Sequence, residues 1–176
     1  GAARMHGGAY AQAHRPLDRA VALFCRCGSA AVALATYIMG SVALAEAALT
    51  EAALTETALA EAAARYGEAL PSLRRSGVIC WLGLCGPMLT ELGLGREQQA
   101  KALLVEDLRS SAAKDYALWR AGALAGAAVW LAAHGQPERA VEIYALASQH
   151  PQIAASRWWA DVAGRHVAAA AMTLTP

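Results

Sequence analysis

The chain has 176 residues, a mass of 18.3 kDa and a formal net charge of +1; 57% of its residues are hydrophobic, 16% charged and 6% aromatic. So apolar and near-neutral a composition excludes a disordered charged tail. It also excludes a dedicated nucleic-acid binder, which needs surplus Lys and Arg to displace counterions from phosphates. About a quarter of the residues are Ala and only one is Phe, which argues against an all-β fold and for close-packed helices.

Taken in chain order, the apolar spacing and the turn residues predict helices at 17–27, 30–45, 49–70, 78–92, 97–110, 115–134, 137–149 and 154–171. Residues 1–10 carry Arg4 but no apolar core, so no signal peptide is expected. Residues 27–45 hold no charge and approach the length of a membrane span. Gly28, Ser29, Thr36, Gly40 and Ser41 interrupt them, and no aromatic belt or basic cluster flanks them, so they read as a core helix and no membrane is expected. Residues 47–64 repeat Ala, Leu, Thr and Glu almost in pentads, which forms helix readily but hides the turn. Gly95-Arg96-Glu97 and Gly135-Gln136-Pro137-Glu138 are clear breaks. Pro at a helix start followed by Glu suits the orphan N–H groups and the positive helix end. His150-Pro151 ends the helix before it.

Self-similarity follows from those breaks. Aligning Gly95 with Gly135 places Ala100 on Ala140, Leu103 on Ile143, Leu104 on Tyr144 and Leu84 on Leu124, an offset of 40 residues. Arg19 to Phe24 repeats the pattern of Arg139 to Tyr144, with Pro16 echoing Pro137. The intervening register, centred on Ala60 or on Ala52, is degenerate.

A small-residue helix, a Gly turn, Ala a few residues on and a large apolar residue after it resemble the tetratricopeptide pattern. Leu124, Ala127, Ala128, Leu131, Gly135, Ala140, Tyr144, Ala147 and Pro151 carry the resemblance. Leu84, Gly95, Ala100 and Leu104 carry a second copy, and Leu17 to Phe24 part of an earlier one. The resemblance implies an all-α fold: a right-handed superhelix, or alpha-solenoid, of antiparallel helix hairpins. Its repeats would fall near 1–27, 28–71, 77–110 and 115–149, with a capping helix at 154–171 covered by Trp158 and Trp159. The period is similar to that of helical arrays in bacterial multidomain signalling ATPases and transcriptional regulators. That implies a single domain over 1–176 that is a C-terminal piece of such a protein.

No catalytic, phosphate-binding or metal-binding motif is present, so no enzyme, cofactor or metal is expected. Cys25 and Cys27, and Cys80 and Cys85, have neither zinc nor redox spacing and read as four small buried apolar residues of a reducing, cytoplasmic compartment. His14, His134, His150 and His166 are scattered, with His134 and His150 at helix ends. Glu46, Glu51, Glu56 and Glu61 read as a solvated stripe. Trp81, Trp119 and Trp130 fall in first helices, which line the concave face of such arrays; they read either as core or as anchors for a partner. The expected function is therefore a protein-interaction scaffold, binding another protein or another domain of its parent chain, with a homodimer through the N-terminal edge as one form. The second expectation is a small-ligand-sensing domain, which a deep pocket with converging polar groups would favour.

Overall fold

Helix formers dominate the sequence, and the computed structural model is helical throughout its described residues, 1–49, 52–77, 82–113 and 116–174; the side chains of 52–55 lie outside that description. The helices are α1 (Ala2–His6), α2 (Tyr10–Arg26), α3 (Ala31–Leu49), α4 (Ala52–Ser76), α5 (Cys85–Gly93), α6 (Glu97–Ala112), α7 (Ala117–Ala133), α8 (Pro137–Ala147) and α9 (Pro151–Ala154). A last rod joins α10 (Arg157–Trp159), a π-turn (Ala160–Gly164) and α11 (Arg165–Ala171). No strand occurs among the described residues.

Glycine sets the turns. Gly28, Gly95 and Gly135 adopt φ of +61°, +71° and +71°, the left-handed conformation in which a Cβ is costly. Each closes its helix with the same long-loop bond: Ser29 N–H to Phe24 O at 2.9 Å, Arg96 N–H to Glu91 O at 2.9 Å, and Gln136 N–H to Leu131 O at 3.0 Å. The chain then turns straight into the next helix, so α5 pairs with α6 and α7 with α8. Ala100 and Ala140, aligned by the 40-residue offset, are both fully buried. In the degenerate unit Ala60 is exposed and Ala62 takes the inward place.

Two prolines depart from the sequence expectation. Pro16 was expected to start a helix, yet α2 begins six residues earlier, at Tyr10. A proline inside a helix robs the carbonyl four residues back of its donor. Here Arg4 replaces it, donating from Nη1 to Gln12 O at 2.8 Å. Pro71 likewise lies inside α4, where the helix was expected to end at Leu70. The buried stripe Leu59, Ala62, Tyr66, Ala69, Leu70 and Leu73 carries α4 past it, and burial along that stripe outweighs one lost hydrogen bond. The predicted continuous helix at 78–92 is broken: Gly83 adopts φ +71°, which no helix allows, and α5 begins only at Cys85, while 78–81, with Cys80, lie outside the described residues.

Helix α3 is apolar on every side because it packs against α2, α4 and the last rod. It is long and apolar enough to cross a membrane, and 72% of its most apolar window is buried inside the protein. Helices α3, α5 and α7 and the last rod form an inner layer, with α4, α6 and α8 outside it. Tyr66 of α4 is held in this layer between Gly40 and Gly86, whose missing side chains admit its ring.

The ends of the chain meet at the last rod. Tyr10 donates to Asp161 Oδ2 at 2.7 Å, while Arg157 Nε reaches Asp161 Oδ1 at 2.8 Å. His6 Nδ1 and Ser156 Oγ lie 2.8 Å apart. Trp158 Nε1 donates to Ser41 O of α3 at 2.7 Å. The rod thus fills the inner face rather than capping an open end. The π-turn adds a residue to one turn, so Asp161 points inward together with Val162 and Ala163.

Candidate functional site

Four inner segments run in the same direction, and a cavity opens at each end of the layer they form. The first, of about 470 Å³, is walled by Tyr37 and Ser41 of α3, Gly83 to Gly86, Trp119 and Gly122 of α7, and Trp158 and Trp159 of the last rod. Met5 and His6 of α1 and Ser156 close it, so both chain ends contribute.

The aromatic walls exist because small residues make room for them. A Cβ on Gly122 would touch Trp159 at 3.4 Å, and one on Gly86 would run into the Tyr66 hydroxyl. Trp158 and Trp159 stack edge to face with centroids 4.8 Å apart, and Tyr37 and Tyr66 do the same at 4.9 Å.

The polar groups of these walls are turned into the protein. Trp119 Nε1 donates to Asp107 Oδ1 at 2.6 Å, Tyr37 to Gly83 O at 3.0 Å, and Tyr66 to Ser41 Oγ at 3.0 Å. No buried side-chain nitrogen or oxygen among the described residues lacks a partner. The cavity therefore presents mainly ring faces and aliphatic carbon, with His6, Ser156 and Gln152 as its polar edge. Desolvation lowers the His6 pKa, which favours the neutral ring at pH 7.

Asp107 is the chemically unusual group. It is 1% exposed, and burial raises its carboxyl to about 6, against hydrogen bonds from the Trp119 indole and the Leu84 backbone N–H that favour the anion. It sits behind Trp119, not in the cavity, so it positions the indole instead of offering acid–base chemistry. Burial also pushes the Cys85 thiol well above its usual value, as suits a packing residue, whereas Cys25 and Cys27 are exposed at the end of α2, against the expectation that they are buried. No cluster of three His, Cys, Asp or Glu side chains able to hold a metal occurs among the described residues.

Of the singled-out tryptophans that are described, Trp119 lines this cavity and Trp130 does not. Trp119 is 5% exposed, so it is not an anchor on an open face. Trp130 is half-buried and stacks on His134 with centroids 4.1 Å apart. His134 in turn holds Trp130 O through Nδ1 and Glu97 through Nε2, each at 2.7 Å. Trp81 lies outside the described residues. His150 does not donate to a helix end; its Nδ1 accepts from Gln152 N–H at 3.3 Å and caps α9. His14 pairs with Glu46 at 2.9 Å.

Asp107, Tyr37, His6 and Ser156 went unnoticed in the sequence. Asp107 had a signal: Ala100, Leu104, Asp107 and Ser111 recur at helical spacing and form the buried stripe of α6. The others are brought together only by the meeting of the chain ends. Comparison with known proteins finds no family model, no curated protein and no solved structure that matches the chain.

Proposed function

We propose that this chain is a ligand-sensing helical domain, and that its ligand is a small, flat, largely apolar molecule held in the first cavity. The observation that carries this reading is a cavity of about 470 Å³ walled by three tryptophans and one tyrosine, of which Trp119, Trp158 and Tyr37 spend their polar atoms on the protein itself. Such a volume suits a small ligand, for which roughly 300–1,000 Å³ is usual. An aromatic guest gains offset and edge-on contacts with the ring walls, and the neutral His6 gives it one polar contact.

Sensing follows from which segments build the walls. A ligand touching α1, α3, α7 and the last rod together favours the state in which the chain ends are closed, by its differential affinity for that state. The readout would be another domain of the parent chain, or a second protein, that distinguishes closed from open ends. A readout of this kind is what the resemblance to tetratricopeptide-like arrays of bacterial regulators implies. The sensing reading departs from the scaffold reading in one respect: the inner face a partner would enter is occupied by 157–171.

The test is titration of N-phenyl-1-naphthylamine, a neutral aromatic probe, into the full chain, with probe emission and tryptophan quenching as readouts. We expect saturable one-to-one binding and a concentration-dependent rise in melting temperature. Ile38→Trp, which fills the cavity from a half-buried wall, abolishes both. Non-saturating uptake, or unchanged binding by the Ile38→Trp protein, overturns the proposal.

A further inference from the structure

A second cavity, about 560 Å³, opens at the other end of the inner layer. Its walls are wholly unlike those of the first. Leu44, Leu59, Leu89, Leu92, Val129 and Val162 line it with a set of alanines, and none of its lining residues is aromatic except His166 at the edge. The alanines create the space: Ala47, Ala132 and Ala169 each stand where a larger side chain would close it. Gly93 contributes as well, since a Cβ there would lie 3.0 Å from Leu59 Cδ1.

The charge is equally one-sided. Arg165 and His166 of α11 are the ionisable groups of the lining, and no carboxylate lines it. Arg165 is exposed and makes no ion pair with any described residue. Burial, and then the Arg165 charge, lower the pKa of His166, which leaves Arg165 as the cation and His166 as a neutral hydrogen-bonding group at pH 7. The C-terminal ends of α3, α5 and α7 point towards the same mouth and oppose an anion. Each represents only about half a charge, and the capping turns at Gly95 and Gly135 already engage carbonyls at the ends of α5 and α7. At an exposed mouth these ends are screened by solvent, whereas a carboxylate in direct contact with the Arg165 guanidinium gains charge-assisted hydrogen bonds. Beyond this edge Met172 is 73% exposed, and it extends the apolar surface outward from the last rod.

We infer that this second cavity binds the alkyl chain of an aliphatic carboxylate, with the carboxylate at Arg165 and His166 and the chain along the Leu, Val and Ala walls. A flexible chain fits walls of branched aliphatic residues, where a rigid ring would leave voids. A single guanidinium at the edge of an apolar slot matches a single anionic head. This site is separate from the aromatic cavity, and either proposal can fail without the other.

Isothermal titration of the full chain with octanoate, decanoate and dodecanoate, each below its micellar concentration, tests it. Affinity should rise about fourfold per added methylene until the slot is full. Decyltrimethylammonium should bind more weakly than decanoate. Arg165→Glu, a change at an exposed position that leaves the fold intact, should weaken decanoate about tenfold or more and remove the preference over the ammonium. Ala132→Phe, filling the slot from α7, should abolish binding of both while circular dichroism stays helical. Equal binding of the two head groups by the natural chain overturns the assignment of the head. Absence of saturable decanoate binding, or unchanged binding after Ala132→Phe, overturns the site itself.

Discussion

Replacing Asp107 by Asn turns a buried carboxyl of raised pKa into a measurement. The carboxyl titrates near 3.8 in an unfolded chain and near 6 in the fold, where burial opposes its charge. A raised carboxyl pKa means that the folded state holds the proton more tightly. Its contribution to stability is therefore largest at acid pH and is lost as pH rises through the window from 3.8 to 6. At about 1.4 kcal/mol per pH decade, ionising Asp107 inside the fold withdraws roughly 2 kcal/mol between pH 4 and pH 7. The amide of Asp107→Asn keeps an acceptor for the Trp119 indole, now 2.6 Å away, and gives up the one for Leu84 N–H. That loss is fixed and independent of pH. Urea unfolding of both proteins, followed by tryptophan emission at pH 4, 5.5 and 7, separates the two effects. The stability of the variant relative to the natural chain should climb by about 2 kcal/mol across this range. A difference that stays flat, or falls with pH, refutes the claim that Asp107 is buried at an energetic cost behind Trp119.

Gly86→Ala drives a methyl into the Tyr66 hydroxyl within the inner layer and should cost about 1–3 kcal/mol; adding Tyr66→Phe should restore most of it in denaturant unfolding, and no recovery would mean the strain lies elsewhere. Glu97→Gln removes the first cause of the raised His134 pKa, so the ring should titrate at lower pH in an NMR titration. His134 stabilises the fold when charged, below its unfolded pKa, and that support is lost as pH rises through the folded value. Tyr10→Phe breaks the bond that ties α2 to Asp161. Amides of residues 2–10 should then exchange with solvent about tenfold faster or more, with α7 and α8 unchanged; equal exchange throughout would show that the chain ends are held by packing alone.

The helical class, the Gly95 and Gly135 turns and the paired helices after them were legible in the sequence, because each depends on local chemistry: propensity, a left-handed glycine, a proline at a helix start. Ala100 and Ala140 could be paired by counting, since burial of one stripe per helix imposes a regular period. The paths through Pro16 and Pro71 could not be read locally. One rests on a guanidinium twelve residues before the proline, and the other on the surface of α3. Local signals likewise left α1 and the π-turn unseen, as neither has a propensity signature.

The sites were legible least of all. Trp119 drew notice by its size, but its partner Asp107 and its neighbours Tyr37, Trp158 and His6 come from segments as much as 152 positions apart, and no spacing rule joins them. By itself, then, the sequence determined which stretches coil and where they turn, because those choices are settled within one or two helical turns of chain. Only the tertiary structure decided that the last rod enters the inner face and leaves an aromatic cavity at one end and an aliphatic one at the other. That outcome depends on the volumes of side chains from distant helices meeting in one layer, a property no single segment carries.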